Sequence, residues 1–202
     1  MKRSRLRLTL LGIGAMNSPR YAPAGLLVVY GCHRIMLDGG PSAVPSGKLD
    51  AWLVSDERGE LMREIRRLAV AKGLEAQVAS YSINGLFIDP HLVTHTSHDA
   101  YGYGIETKNR KAIWAPEFFA FPAWAKNADI MFAEASSWNR PIYFRGGVGG
   151  HACVLDVARE AQKLGVKRLI FAHIGRPTIK AIDAGKRAPF GEFGREGATY
   201  TL

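Results

Sequence analysis

The sequence predicts an α/β protein, a sandwich of two mixed β-sheets between outer helical layers. Three observations predict it. Short apolar runs bounded by turn residues recur in both halves of the chain. Helical periodicity is confined to two separated segments, Glu57–Lys72 and Gly150–Leu164. The 202 residues, 47% of them hydrophobic, suffice to bury a full core. Residues 1–202 are expected to form one domain, because no low-complexity linker and no internal repeat interrupts them.

The elements follow in order. Leu6–Leu11, Gly25–Tyr30 and Arg34–Leu37 read as strands separated by Asn17-Ser18-Pro19 and by Gly31, an antiparallel beginning. Asp50–Ser55 is a further apolar strand, and Glu57–Lys72 carries Leu61, Ile65, Leu68 and Ala69 at helical spacing. Ala76–Ala79, Gly85–Ile88, His91–Thr96, Tyr101–Glu106 and Lys111–Ala115 read as a second series of strands, with a hairpin turn at Thr107–Arg110. Phe118–Asn127 should hold a short helix or turn, and Ile130–Ala135 a buried strand. The strongest helix spans Gly150–Leu164, with Val154, Leu155, Val157, Ala158 and Ala161 on one face and Asp156, Arg159, Glu160 and Lys163 on the other. Gly165 ends it, and the strand Val166–His173 carries His173 at its C-terminal end.

Composition narrows the partners. No apolar run approaches the roughly 20 residues that cross a bilayer. The basic segment Met1–Arg7 lacks the apolar stretch a secretory leader needs, so a cytoplasmic location with no membrane partner is expected. Cys32 and Cys153 are too few for a disulfide framework and are read as reduced thiols. A net charge of +9 favours small anionic substrates or ligands. Nucleic acid is the less favoured partner, because the basic residues are spread along the chain without aromatic interleaving. Trp114, Phe118, Phe119, Phe121, Trp124 and Trp138 are read as core; a homodimer contact through Phe118–Trp124 is the expectation if that segment is exposed.

Three segments place ionisable groups just beyond apolar strands, where loops decide residue type. They are His95 to Asp99, Trp114 to Glu117, and the glycine-rich run Gly146 to His151 followed downstream by Phe171 to His173. Imidazoles and carboxylates from separate loops suit a catalytic zinc or similar ion with an open position. His95 and His98, three apart on extended chain, should not both face one centre, and His95 is read as the structural one. The glycines before His151 allow either close packing or anion binding at a helix start. His33 and His91 are read as ordinary surface or edge histidines.

At these residues the chain resembles the metallo-β-lactamase-fold superfamily, in particular its ribonuclease Z and phosphodiesterase branch. The likeness is carried by Leu8 to Ala15, by Met36 to Gly40, and by the block from Gly150 and His151 to Phe171 and His173. It implies an αββα sandwich. It also implies that His151 lies near the leaving group, that His173 and His98, with His95 as the alternative to His98, are metal ligands, and that Glu117 stands where the family has a metal-bridging aspartate. One departure is large. Where the family has His-x-His-x-Asp-His, this chain has Ser55 to Leu61, so that Asp56 and Arg58 replace two histidines, Glu60 the aspartate and Leu61 the last histidine. A two-zinc centre of the family's usual kind cannot form from those residues, and Arg58 opposes a cation there.

The leading expectation is a hydrolase of an ester, lactone or phosphodiester with one divalent ion, held by His98, Glu117 and His173 with help from Asp56, while His151 or Glu60 moves protons. The alternative is a metal-free binding or regulatory domain in which Arg58 occupies the emptied site and pairs with Glu60, Asp56 or an anionic ligand. Metal-free acid and base catalysis by Glu60 and His151 is a third reading.

Overall fold

The computed structural model describes residues 5–146 and 149–202, so that Gly147 and Val148 of the glycine-rich run lie outside the described residues. The first half contains β1 (Leu6–Gly12), β2 (Gly25–Tyr30), β3 (His33–Asp38), β4 (Ala51–Leu53), α1 (Met62–Val70), β5 (Ala76–Gln77), β6 (Tyr81–Ile83) and β7 (Leu86–Val93). Next come β8 (Ala100–Thr107), β9 (Arg110–Ala115), a 3-10 turn at Ala123–Ala125, β10 (Ile130–Ala135), β11 (Ile142–Tyr143) and β12 (Gly150–His151). The chain closes with α2 (Val154–Lys163), β13 (Leu169–Ile174), α3 (Arg176–Asp183), β14 (Glu192–Phe193) and β15 (Thr199–Thr201).

Two mixed sheets result, one ordered β15-β1-β2-β3-β4-β5 and the other β14-β13-β10-β9-β8-β7-β6. In β1, Leu6, Leu8 and Leu10 alternate inward while Arg7 faces out, the signature of a strand with one wet face. β10 and β13 are buried along their whole length and pair in parallel, which explains their unbroken apolar character. Leu8 and Leu26 of the first sheet share a core with Trp114, Phe132 and Phe171 of the second. α1 packs Met62, Ile65 and Ala69 against Leu27, Met36 and Trp52. α2 buries Val154, Val157, Ala158 and Ala161 in the core and packs on β10 and β13. The architecture is therefore the expected sandwich, flanked by helices.

Several boundaries differ from expectation for local reasons. α1 begins at Met62 rather than Glu57, because the Asp56 side chain accepts the Arg58 N–H at 2.7 Å and holds the preceding residues in turns. α2 begins at Val154 rather than Gly150, because Gly150 and His151 pair with Tyr143 and Ile142 as a two-stranded ribbon. β7 runs unbroken through Pro90 where two strands were expected. β6 pairs only as far as Ile88, so Pro90 faces a free edge and costs no ladder bond there. β5 joins the first sheet, parallel to β4, rather than the second series. α3 follows Gly175 with Pro177 in its first turn, a start signal that was not read from the sequence.

Candidate metal centre

The loops at one end of the sandwich enclose a cavity of about 660 Å³, lined among others by Asp38, Asp56, His95, His98, Glu117 and His173. Each of the principal side chains is aimed by the strand that precedes it. β13 carries one extra residue opposite β10, since Ala133 pairs with Phe171 but Ala135 with Ile174. His173 sits in this bulge with φ +58°, a left-handed conformation that a non-glycine residue adopts at a cost of about 1–3 kcal/mol. The bulge reorients the chain where the strand reaches the cavity.

Glu117 follows β9 and stands between two imidazoles. His95 Nε2 lies 2.8 Å from one carboxylate oxygen and His173 Nε2 lies 3.1 Å from the other. The opposite ring nitrogens are also committed. His95 Nδ1 donates to the Gly150 carbonyl at 2.9 Å, and His173 Nδ1 reaches Ser136 Oγ at 2.9 Å and Glu134 Oε1 at 3.3 Å. Glu134, fully buried in β10, also accepts His151 Nδ1 at 2.7 Å and the Ser136 N–H at 2.7 Å. His151 stacks on His173 at 5.4 Å and lies 4.7 Å from His95, ring centre to ring centre. Ligand atoms of His95, Glu117 and His151, and separately of Glu134, His151 and His173, lie within 4.8 Å of one another.

Gly149 and Gly150 serve close packing. A Cβ on Gly150 would come within 1.8 Å of the Ile142 carbonyl oxygen, and one on Gly149 within 2.0 Å of the His95 carbonyl oxygen. Only glycine lets this ribbon press against the His95 segment and present the Gly150 carbonyl to the imidazole.

Electrostatics bind the cluster together. Burial alone would discharge His173, but Glu117 and Glu134 on either side overcome it and push the imidazole up to about 10. Burial would raise both carboxyls. Instead His173 and His95 hold Glu117 well below the usual carboxylate range, and His151 and His173 bring Glu134 to about 2. Burial would lower His95 too, but its bond to Glu117, the charges of Glu117 and Glu134 and the Gly150 carbonyl together raise it. Asp38 differs: burial dominates and pushes it up to about 6, although Trp114 Nε1 and the Ser55 N–H both donate to it at 2.6 Å.

The structure divides the residues singled out in the sequence. Glu117, His151 and His173 come together, and His95 joins them. His98 lies elsewhere on the cavity wall, its Nε2 at 3.0 and 2.9 Å from the two Asp56 oxygens. The placements of His95 and His98 are thus the reverse of the sequence reading, because the Gly150 N–H bonds to the His95 carbonyl at 2.8 Å and pins that residue inward. Arg58 and Glu60 are exposed on the same wall. Among the described residues, the ion pair of Asp56 is with His98 rather than with the Arg58 guanidinium. Glu134 and Ser136 escaped notice in the sequence. A lone carboxylate within the otherwise apolar run Ile130–Ala135 was the available signal, since buried charges are rarely unpaired. Phe118 is fully buried, and Phe119, Phe121 and Trp124 are half-buried. His91 is exposed and stacks on Trp124 at 4.7 Å, and His33 is half-buried, 3.8 Å from Asp50. No helix among the described residues is long and apolar enough to cross a membrane.

No protein-family model and no curated protein matches the chain. Solved structures do. The metallo-β-lactamase fold protein YhfI from Bacillus subtilis superposes with a TM-score of 0.77 at 16% identity, over 98% of this chain and 100% of that one. A diphosphatase from the PhnP family gives 0.70 at 17% identity, over 98% and 97%. Zn2+-bound PqqB from Methylobacterium extorquens gives 0.67 at 12% identity, over 97% and 100%. Two mixed sheets flanked by helices, superposing on these structures over nearly the whole chain, give this protein the metallo-β-lactamase fold.

Proposed function

We propose that the chain is a hydrolase that cleaves an ester, lactone or phosphodiester bond in a small anionic molecule, using one divalent ion, zinc by preference. One observation carries the reading. His95 and His173 each spend one ring nitrogen on a carbonyl, hydroxyl or carboxylate acceptor and turn the other toward Glu117. A metal-binding histidine is oriented in the same way by an outer acceptor. The donor set, two imidazole Nε2 atoms and a carboxylate, fits zinc and leaves a further position open. His95, Glu117 and His173 would hold the ion; their ligand atoms are not one of the groups that lie within 4.8 Å of one another, so the imidazoles on either side of Glu117 must draw together as the ion binds, and the fold's zinc-bound and diphosphatase representatives lend the reading support. When bound, zinc supplies Lewis acidity and lowers the pKa of coordinated water to about 7.

The protein's own groups do the rest. His151 is braced through Nδ1 by Glu134, its ring lines the cavity, and its Nε2 has no hydrogen-bond partner among the described residues. It is placed to give a proton to the leaving oxygen. Glu60 is exposed, so we assign proton donation to His151 instead. Arg58 and Arg176 line the cavity beside Met16, Leu61 and Phe144, a wall suited to an anion with an apolar portion.

A second reading, a metal-free anion-binding protein, is favoured by the ion pairs of Glu117 and Glu134 with His95, His151 and His173, which balance both carboxylates within the protein. The two readings separate in turnover of bis(4-nitrophenyl) phosphate and 4-nitrophenyl acetate. The hydrolase reading expects turnover that chelation abolishes, zinc restores and His173→Ala lacks. Turnover that survives both treatments, or none with either compound under any divalent ion, contradicts it.

A further inference from the structure

We infer that His98 and Asp56 form a general base on the cavity wall opposite the Glu117 cluster's own residues. The inference rests on the hydrolase reading and adds the group that activates water. Asp56 is held by the Arg58 N–H at 2.7 Å, and both of its oxygens face His98 Nε2. The His98 carbonyl accepts the Thr96 hydroxyl at 2.8 Å, fixing the backbone that carries the ring. The side chains of His98 and Asp56 are only 24% and 15% exposed, so the pair is partly shielded from competing water.

This arrangement leaves one nitrogen free. A carboxylate can only accept, so the proton of neutral His98 resides on Nε2 and the lone pair on Nδ1. Nδ1 has no partner among the described residues, and the ring lines the same cavity as Glu117 and His173. A carboxylate behind an imidazole fixes its tautomer and stabilises the imidazolium formed when the ring takes a proton. Neither His98 nor Asp56 belongs to the groups of converging ligand atoms, which are built from His95, Glu117, Glu134, His151 and His173. Besides Glu117 and its clustered histidines, the charged groups sharing the cavity wall are Asp38, Arg58, Glu60 and Arg176.

In the step, a water O–H bond breaks and its proton passes to His98 Nδ1. The water oxygen forms a bond to the carbonyl carbon or phosphorus, the bond to the leaving oxygen breaks, and that oxygen takes the proton from His151 Nε2. Exchange with solvent returns both histidines to their starting states. Proton balance is complete without an oxidant or a further reactant.

The test combines imidazole nitrogen spectra with kinetics. In the metal-free protein, His98 should show a proton on Nε2 and a bare Nδ1, and added zinc should shift His95 and His173 but leave His98 unmoved. His98→Ala should lower kcat for bis(4-nitrophenyl) phosphate by about a hundredfold or more with KM and zinc stoichiometry unchanged, and added imidazole should restore part of it. Asp56→Asn should give a smaller loss in kcat. Displacement of the His98 proton by zinc, loss of zinc in His98→Ala, or full activity in that variant would overturn the inference while leaving the hydrolase reading intact. A wild-type protein that takes up no zinc and turns over neither compound overturns both.

Discussion

The two sides of the cavity differ in how their polar residues are held. Around Glu117, His95 and His173 are 4% and 5% exposed, Glu134 is fully buried, and every one of these groups has at least two partners. Along Asp56 to Leu61, Glu57, Arg58 and Glu60 are exposed, and the order comes mainly from turns and from one ion pair to His98. The contrast teaches where substitution is tolerated. A residue in an exposed turn can change type with little consequence for folding, whereas a buried carboxylate between two imidazoles cannot leave without stranding its partners.

The largest effect should come from the buried side. Glu134→Ala removes the acceptor of His151 Nδ1, of the Ser136 N–H and in part of His173 Nδ1. Urea denaturation of the metal-free protein should register a loss of about 3–5 kcal/mol; a loss below 1 kcal/mol would mean that the network is not cooperative.

Zinc uptake should be coupled to protons on the same side. His173 is held protonated up to about 10 and His95 above its ordinary value, so an ion that takes their Nε2 atoms must displace protons. Affinity should therefore fall as pH falls, by up to about tenfold per pH unit for each proton displaced. Calorimetry in buffers of different ionisation enthalpy would measure the release. Binding independent of pH from 6 to 9 would place the ion elsewhere.

Between the two sides lies Asp38, whose carboxylate joins Trp114, just before Glu117, to Ser55, just before the exposed turn. Its folded pKa of about 6 exceeds the unfolded value of 3.8, so its contribution favours the fold below about pH 4 and is lost as pH rises through 6. The indole N–H signal of Trp114 should follow that titration, and Asp38→Asn should abolish it. On the exposed side the smallest effect is expected: Arg58→Ala should change stability by no more than about 0.5 kcal/mol in the same urea experiment.

The sequence disclosed the sandwich because its main signals are local. Leu6 to Leu11 alternates, Val154 to Lys163 is amphipathic, and both folded as their periods require. Glu117 and His173 were legible because each follows an apolar run, and His151 because a glycine-rich run precedes it. The choice between His95 and His98 was not, since it depends on a hydrogen bond from Gly150, 55 residues away in sequence, to the pinned His95 segment. Glu134 was hidden by its neighbours. Within Ile130–Ala135 the strand pattern is apolar, and a single carboxylate reads as an interruption unless the bulge at His173 and the ribbon at His151 are already known.

The central claim is that one ion is held by His95, Glu117 and His173. Metal analysis of the protein loaded with zinc and freed of excess tests it most directly, beside His95→Ala and His98→Ala. The account predicts one zinc per chain, retained in His98→Ala and lost in His95→Ala. Two ions per chain, none, or the opposite response of the two variants would contradict it.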